Sequence, residues 1–133
     1  MLPKIRTLEK PFAICKVSEL TAEIFRGNNV FVAKTPKEIS IVSEEDNVPQ
    51  NATETSLGWR GFAIVGQLDF SLVGILCGIT SVLAENRIPV FAVSTFDTDY
   101  FFVKSENFNK TVTALKNVGY RLCLQYKSMA FHP

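Results

Sequence analysis

An α+β fold with βαββαβ order is predicted by three patterns in the second half of the chain. Phe62, Ile64 and Gly66 alternate against Gly61, Ala63 and Val65, the spacing of a half-buried strand. Leu72, Ile75, Leu76, Ile79, Val82 and Leu83 recur at helical spacing, as do Phe108, Val112 and Leu115. Apolar, β-rich runs flank a polar hairpin, Ser94-Thr95-Phe96-Asp97-Thr98-Asp99-Tyr100. Two helices on one face of a four-stranded antiparallel sheet is the ferredoxin-like arrangement.

From the N-terminus, Phe12 to Val17 reads as a strand, Thr21 to Phe25 as a short turn of helix, and Val30 to Ala33 and Ile39 to Ser43 as two more strands. This resembles a truncated βαββ. The polar stretch Glu44 to Ser56 carries Pro49 and no periodic apolar set, so it reads as a connection. The expected division is therefore residues 1–56, a truncated half with its linker, and residues 57–133. Neither half has a full set of core positions. One continuous sheet or two sheets packed edge to edge is expected, with the strand at Trp59 shared.

In the second half, Trp59 to Gly66 is the first strand. Ser71 stands where an N-cap belongs, Phe70 can staple onto Ile75, and the helix runs to about Asn86. Pro89 to Ser94 and Tyr100 to Lys104 form the hairpin strands. Ser105 caps the second helix, Gly119 stops it, and Tyr120 to Tyr126 supplies the last strand.

A chain of 133 residues is expected to form one compact domain with a real core. Hydrophobic residues at 47% and charged residues at 20% argue against disorder. A formal charge of +1 without a Lys/Arg cluster removes the electrostatic footprint of a nucleic-acid binder and gives no attraction to a membrane surface. The longest uncharged run, Phe70 to Ala84, is too short to span a bilayer, and the N-terminus lacks the apolar core of a signal peptide. Cys15, Cys77 and Cys123 lie far apart among apolar neighbours, which suits buried free thiols and a reducing, cytoplasmic home. Asn51 and Asn109 open Asn-x-Thr triplets, a pattern that arises often by chance.

Two features carry chemistry. The helix start exposes the N–H groups of Leu72, Val73, Gly74 and Ile75 at the positive end of the macrodipole, where an anion is favoured. Gly74 lets a carboxylate approach the backbone, and valine there is expected to block the ligand while the helix persists. In the hairpin, Asp97 and Asp99 lie two apart beside Ser94, Thr95 and Thr98, so both carboxylates are expected on one side, available to an ammonium or guanidinium. Taken separately, each has a plainer explanation: a helix cap with a packing glycine, and an ordinary Asp/Thr turn. Gly74 and Gly78 share a helix face that suits helix-on-sheet packing or a subunit contact. No catalytic residues, metal ligands or cofactor are assigned. His132 is the single histidine, and no nucleophile elbow, P-loop or dinucleotide fingerprint occurs. The phenylalanines are spaced as core, not as a stacking platform for bases.

Gly58-Trp59-Arg60, Phe70-Ser71-Leu72-Val73-Gly74-Ile75-Leu76 and Ile88-Pro89-Val90-Phe91-Ala92-Val93-Ser94-Thr95-Phe96-Asp97-Thr98-Asp99-Tyr100 resemble the small bacterial ACT-domain proteins related to aspartate kinase regulatory regions. The hairpin also resembles that of the animal cytosolic arginine sensors. The likeness runs from Gly58 to about Gly119. It implies tandem ACT-like units that bind an amino acid at an ACT–ACT interface, usually in a dimer. By that resemblance the contacts are Ser71, Leu72, Val73, Gly74 and Ile75 with Ser94, Thr95, Phe96, Asp97 and Asp99. Unlike aspartate kinases, the chain carries no catalytic domain, so any regulation acts on a separate, unidentified partner.

The expected function is a non-catalytic, cytoplasmic regulatory protein that binds a free amino acid and forms a homodimer or larger homo-oligomer. The alternative is a ferredoxin-like oligomerisation module without a physiological ligand. An enzyme on amino-acid-like substrates is a third, weaker reading.

Overall fold

Strand β1 runs from Lys4 to Val17, well before the Phe12 at which the sequence pattern begins. Its first half is charged at alternate positions, Lys4 and Arg6, which masks the buried set Ile5 and Thr7. The computed structural model describes residues 2–65 and 74–124. Beyond β1 it contains β2 (Val30–Lys34), β3 (Ile39–Glu44), β4 (Ala52–Ile64), α1 (Ile75–Glu85), β5 (Phe91–Ser94), β6 (Asp99–Lys104), α2 (Phe108–Asn117) and β7 (Arg121–Cys123). Short 3-10 turns occupy Ala22–Arg26, Glu45–Asn47 and Ser105–Asn107.

Two compact units form, one from Lys10–Trp59 and one from Met1–Glu9 with Arg60–Pro133. The chain crosses between these units twice, once inside β1 and once inside β4. Trp59 lies in a strand that contributes to both units, as expected of it.

In the Lys10–Trp59 unit the strand order is β2-β3-β1-β4. The unit has β-turn-β-β-turn-β order, with 3-10 turns where full helices would stand and the first part of β4 as its fourth strand. Ala52–Ser56 is therefore strand, not linker. It reads as polar because β4 is the edge of this unit and Thr53, Glu54 and Thr55 are exposed. Cys15, Val17, Ile24 and Ile41 form the core, packed by Val30, Ile39, Val48 and Ala52. Glu44 is buried and accepts hydrogen bonds from Asn28 N (3.1 Å), Asn29 N and Asn29 Nδ2 (both 3.2 Å).

In the second unit the order is β7-β1-β4-β6-β5. The expected β-α-β-β-α-β succession holds, and the helices pack on one face: Ile79, Leu83 and Leu115 meet Phe62, Ile64, Phe101, Val103 and Ile5. The sheet departs from the four-stranded antiparallel expectation in one respect. The start of β1 inserts between β7 and β4, and Lys4, Ile5 and Arg6 pair parallel with Arg121, Leu122 and Cys123. Gly61 is glycine because a Cβ there would fall 2.8 Å from both Leu8 and Phe102.

Both helix ends close with paired reverse hydrogen bonds. Gly119 N donates to Lys116 O and Tyr120 N to Leu115 O, with Gly119 at φ +107. At the end of α1, Arg87 N donates to Ala84 O and Ile88 N to Leu83 O, and Arg87 takes the left-handed conformation at φ 58. Ser105 opens a 3-10 turn and makes no side-chain cap bond, because α2 proper begins three residues later at Phe108. Cys15 is buried as expected, whereas Cys77 and Cys123 are exposed. None of the described helices is long and apolar enough to cross a membrane.

A repeat links the two hairpins. Phe31 pairs with Val42 and Lys34 with Ile39; sixty residues on, Phe91 pairs with Phe102 and Ser94 with Asp99, in the same register.

Candidate functional site

Thr95 and Thr98 build the turn of the β5–β6 hairpin. Thr95 N and Thr95 Oγ1 both donate to Thr98 O (2.8 and 2.9 Å), and Thr98 N donates to Thr95 Oγ1 (3.3 Å). Thr98 Oγ1 then donates to Ile64 O at 2.8 Å, which ties the hairpin to the end of β4. The turn places Asp97 on the wall of a cleft of about 400 Å³. Ala63, Ile64 and Val65 of β4, Thr98, Tyr100 and, from β1, Arg6 complete it.

One carboxylate and one guanidinium therefore share a cleft with apolar side chains and a phenol. A guanidinium matches a carboxylate with paired N–H donors, and a carboxylate accepts from an ammonium. Asp97 is exposed and Arg6 half-buried, so the cleft opens to solvent.

Among the described residues expected at the site, Asp97 alone lines this cleft. Asp99 begins β6 and accepts a hydrogen bond from Ser94 Oγ across the ladder. Thr95 is used in the turn, and Phe96 projects at the tip with 83% of its surface exposed. Ser71, Leu72 and Val73, with Phe70, lie outside the described residues.

Gly74 is the N-cap of α1, with φ 87, and Gly78 N donates to its carbonyl at 2.8 Å. The expected cap at Ser71 is thus displaced three residues along, and the orphan N–H groups belong to Ile75, Leu76 and Cys77. Nothing lies within 4 Å of a Cβ built on Gly74, so its left-handed backbone, not crowding, selects glycine. Valine would be strained there, and the expectation that it is tolerated is reversed. The Ile75 side chain packs against the core. Gly78 has a packing reason: its Cβ would sit 3.1 Å from the Tyr120 hydroxyl.

Arg6, Ala63, Ile64, Val65 and Tyr100 were not expected in the site. Arg6 could have been found from the alternation Ile5, Thr7 around it, which marks a strand whose opposite face carries the guanidinium. Among the described residues, no group of three His, Cys, Asp or Glu could hold a metal ion.

The ACT domain family model matches residues 54–117. The crystal structure of an Agobacterium tumefaciens protein is similar over 99% of both chains, with 32% identity and a TM-score of 0.87. The regulatory subunit of aspartate kinase from Thermus thermophilus shares the fold at 9% identity and TM-score 0.63, covering 90% of this chain and 99% of that one. Aspartate kinase from Clostridium acetobutylicum matches 82% of this chain with 33% of its own length, at 16% identity and TM-score 0.63. No match emerges among curated protein sequences. With the βαββαβ unit and the family match across its β4–α2 region, the chain contains an ACT domain over residues 54–117 and shares its fold with the regulatory subunit of aspartate kinase.

Proposed function

We propose that this protein is a regulatory sensor that binds a free amino acid in the Arg6–Asp97 cleft. The observation that carries the reading is the pairing of one cation and one anion in a single cleft, which complements the carboxylate and ammonium of a zwitterion. Arg6 takes the carboxylate and Asp97 the ammonium, while Val65 and Tyr100 flank the ligand side chain. The relatives named as regulatory subunits support a regulatory rather than a catalytic role. A homodimer or larger homo-oligomer covers the open side of the cleft, and the occupied state alters affinity for a separate regulated protein. Three free thiols suit a cytoplasmic location.

Thermal unfolding in the presence of each of the twenty amino acids tests this. At 100 Kd a ligand specific to the native state contributes about 2.7 kcal/mol, readily visible as a melting shift. Failure of all twenty would leave the protein as an oligomerisation module without a ligand. Light scattering showing a 14.8 kDa species at micromolar concentration would remove the oligomer.

A further inference from the structure

We propose that the Lys10–Trp59 unit carries a second binding site, for a small dianion, in the cleft beside the β2–β3 hairpin. The turn here repeats the other one: Thr35 N donates to Glu38 O (2.9 Å), Thr35 Oγ1 to the same oxygen (3.4 Å), and Glu38 N to Thr35 Oγ1 (3.2 Å). The cleft against it, about 450 Å³, is lined by Lys16, Lys34, Thr35, Lys37, Glu38 and Thr53 among others. By the shared register, Lys37 stands where the other hairpin has Asp97, and Lys34 where it has Ser94. The scaffold is kept and the sign of its charge is exchanged.

Local acids engage one of the three lysines, Lys16, and leave the other two. The Glu38 carboxylate accepts from Ser40 Oγ at 2.7 Å, and Glu54 pairs with Lys16 at 3.3 Å. Lys34 and Lys37 have no carboxylate within salt-bridge distance among the described residues. Backbone donors of the turn are also taken, since Lys37 N and Glu38 N both bond Thr35 Oγ1. Recognition therefore falls to ammonium groups, compact charges on flexible stems that fit phosphate or dicarboxylate oxygens without demanding one geometry. The turn that supplies Asp97 to an ammonium in one unit supplies Lys37 in the other, so a zwitterion suits the first cleft and an anion without an ammonium suits this one.

The full chain is unfolded thermally at fixed ionic strength while chloride is replaced by inorganic phosphate in one arm and by succinate in another. A saturable rise in Tm of about 3 °C or more in either arm is expected. The two arms separate a phosphoryl from a dicarboxylate ligand, and a response in neither overturns the site. Lys37→Gln should weaken the response about tenfold, Lys34→Gln with Lys37→Gln should abolish it, and Lys37→Arg should retain it. Asp97→Asn should leave it unchanged, which keeps the outcome separate from that of the amino-acid cleft. Persistence of the rise in the double variant, or an equal rise in chloride alone, would overturn the proposal; both lysines are exposed, and circular dichroism verifies that the variants are folded.

Discussion

The guanidinium of Arg60 lies 4.0 Å above the ring centroid of Phe108. Phe108 stacks in turn on Phe62, and Phe62 on Phe101, at 5.5 and 4.8 Å between centroids. Burial holds the Arg60 pKa below its ordinary value, yet the group remains charged at neutral pH. A double-mutant cycle between Arg60→Met and Phe108→Leu should return a coupling of about 0.5–2 kcal/mol in chemical denaturation. Strict additivity would show that the contact contributes only packing.

Glu44 holds three donors of the Asn28–Asn29 segment on one carboxylate. Glu44→Ala leaves those donors without their acceptor and should cost about 2–4 kcal/mol in urea unfolding. Glu44→Gln keeps one acceptor oxygen and should cost less. Equal losses would mean that the carboxylate charge, not its hydrogen-bond count, is what matters.

Arg87 occupies the left-handed region at the end of α1, where glycine is the residue without a steric penalty. Arg87→Gly should raise stability by about 0.5–1 kcal/mol, since relief of strain exceeds the added freedom of the unfolded chain. A drop in melting temperature would show that the Arg87 side chain makes a compensating contact.

Asp97 lines the cleft, whereas Asp99 is bonded to Ser94. Asp97→Asn should weaken amino-acid binding roughly ten- to hundredfold, the loss of one charge-assisted hydrogen bond of about 1.5–3 kcal/mol. Asp99→Asn should act on the hairpin's melting rather than on affinity. Titration calorimetry on both variants separates the two; equal affinity losses would place Asp99 in the site as well. Arg6→Gln should match Asp97→Asn in its effect.

Burial raises the pKa of both the Cys15 thiol and the Tyr120 phenol. In each case the unfolded chain ionises first on going alkaline, so the native state binds more protons and stability falls as pH rises. The decline should begin near the ordinary thiol value, about 8.5, and steepen near the ordinary phenol value, about 10. Denaturant midpoints at pH 7, 9 and 10.5 measure it. Cys15→Ala should flatten the first part of the profile while lowering stability at every pH through lost packing.

Periodicity made the elements around α1, β5, β6 and α2 legible, because each buries one face and exposes the other. Strands with polar or charged exposed positions were not. Lys4–Pro11 and Ala52–Ser56 show no clear periodicity for that reason, which hides Arg6 and the fourth strand of the Lys10–Trp59 unit. The repeat of Val30–Asn47 in Val90–Asn107 could have exposed that unit, but substitutions such as Lys37 for Asp97 hide the match from a pattern built on charge. In the hairpin, residue type identified a turn that offers carboxylates. Which of them reached a cleft depended on the cross-strand bond that engages Asp99.

The parallel pairing of Lys4–Arg6 with Arg121–Cys123 sets an order on synthesis. During translation the residues of the Lys10–Trp59 unit emerge together and can collapse at once, whereas the other unit needs a strand from near the beginning of the chain and its mate from near the end. The opening segment must therefore remain unclaimed on its β7 side until more than a hundred further residues have left the ribosome. A fragment bounded by the matched span 54–117 would lack both of these strands and leave the flank of β4 bare. It should aggregate where the intact chain does not.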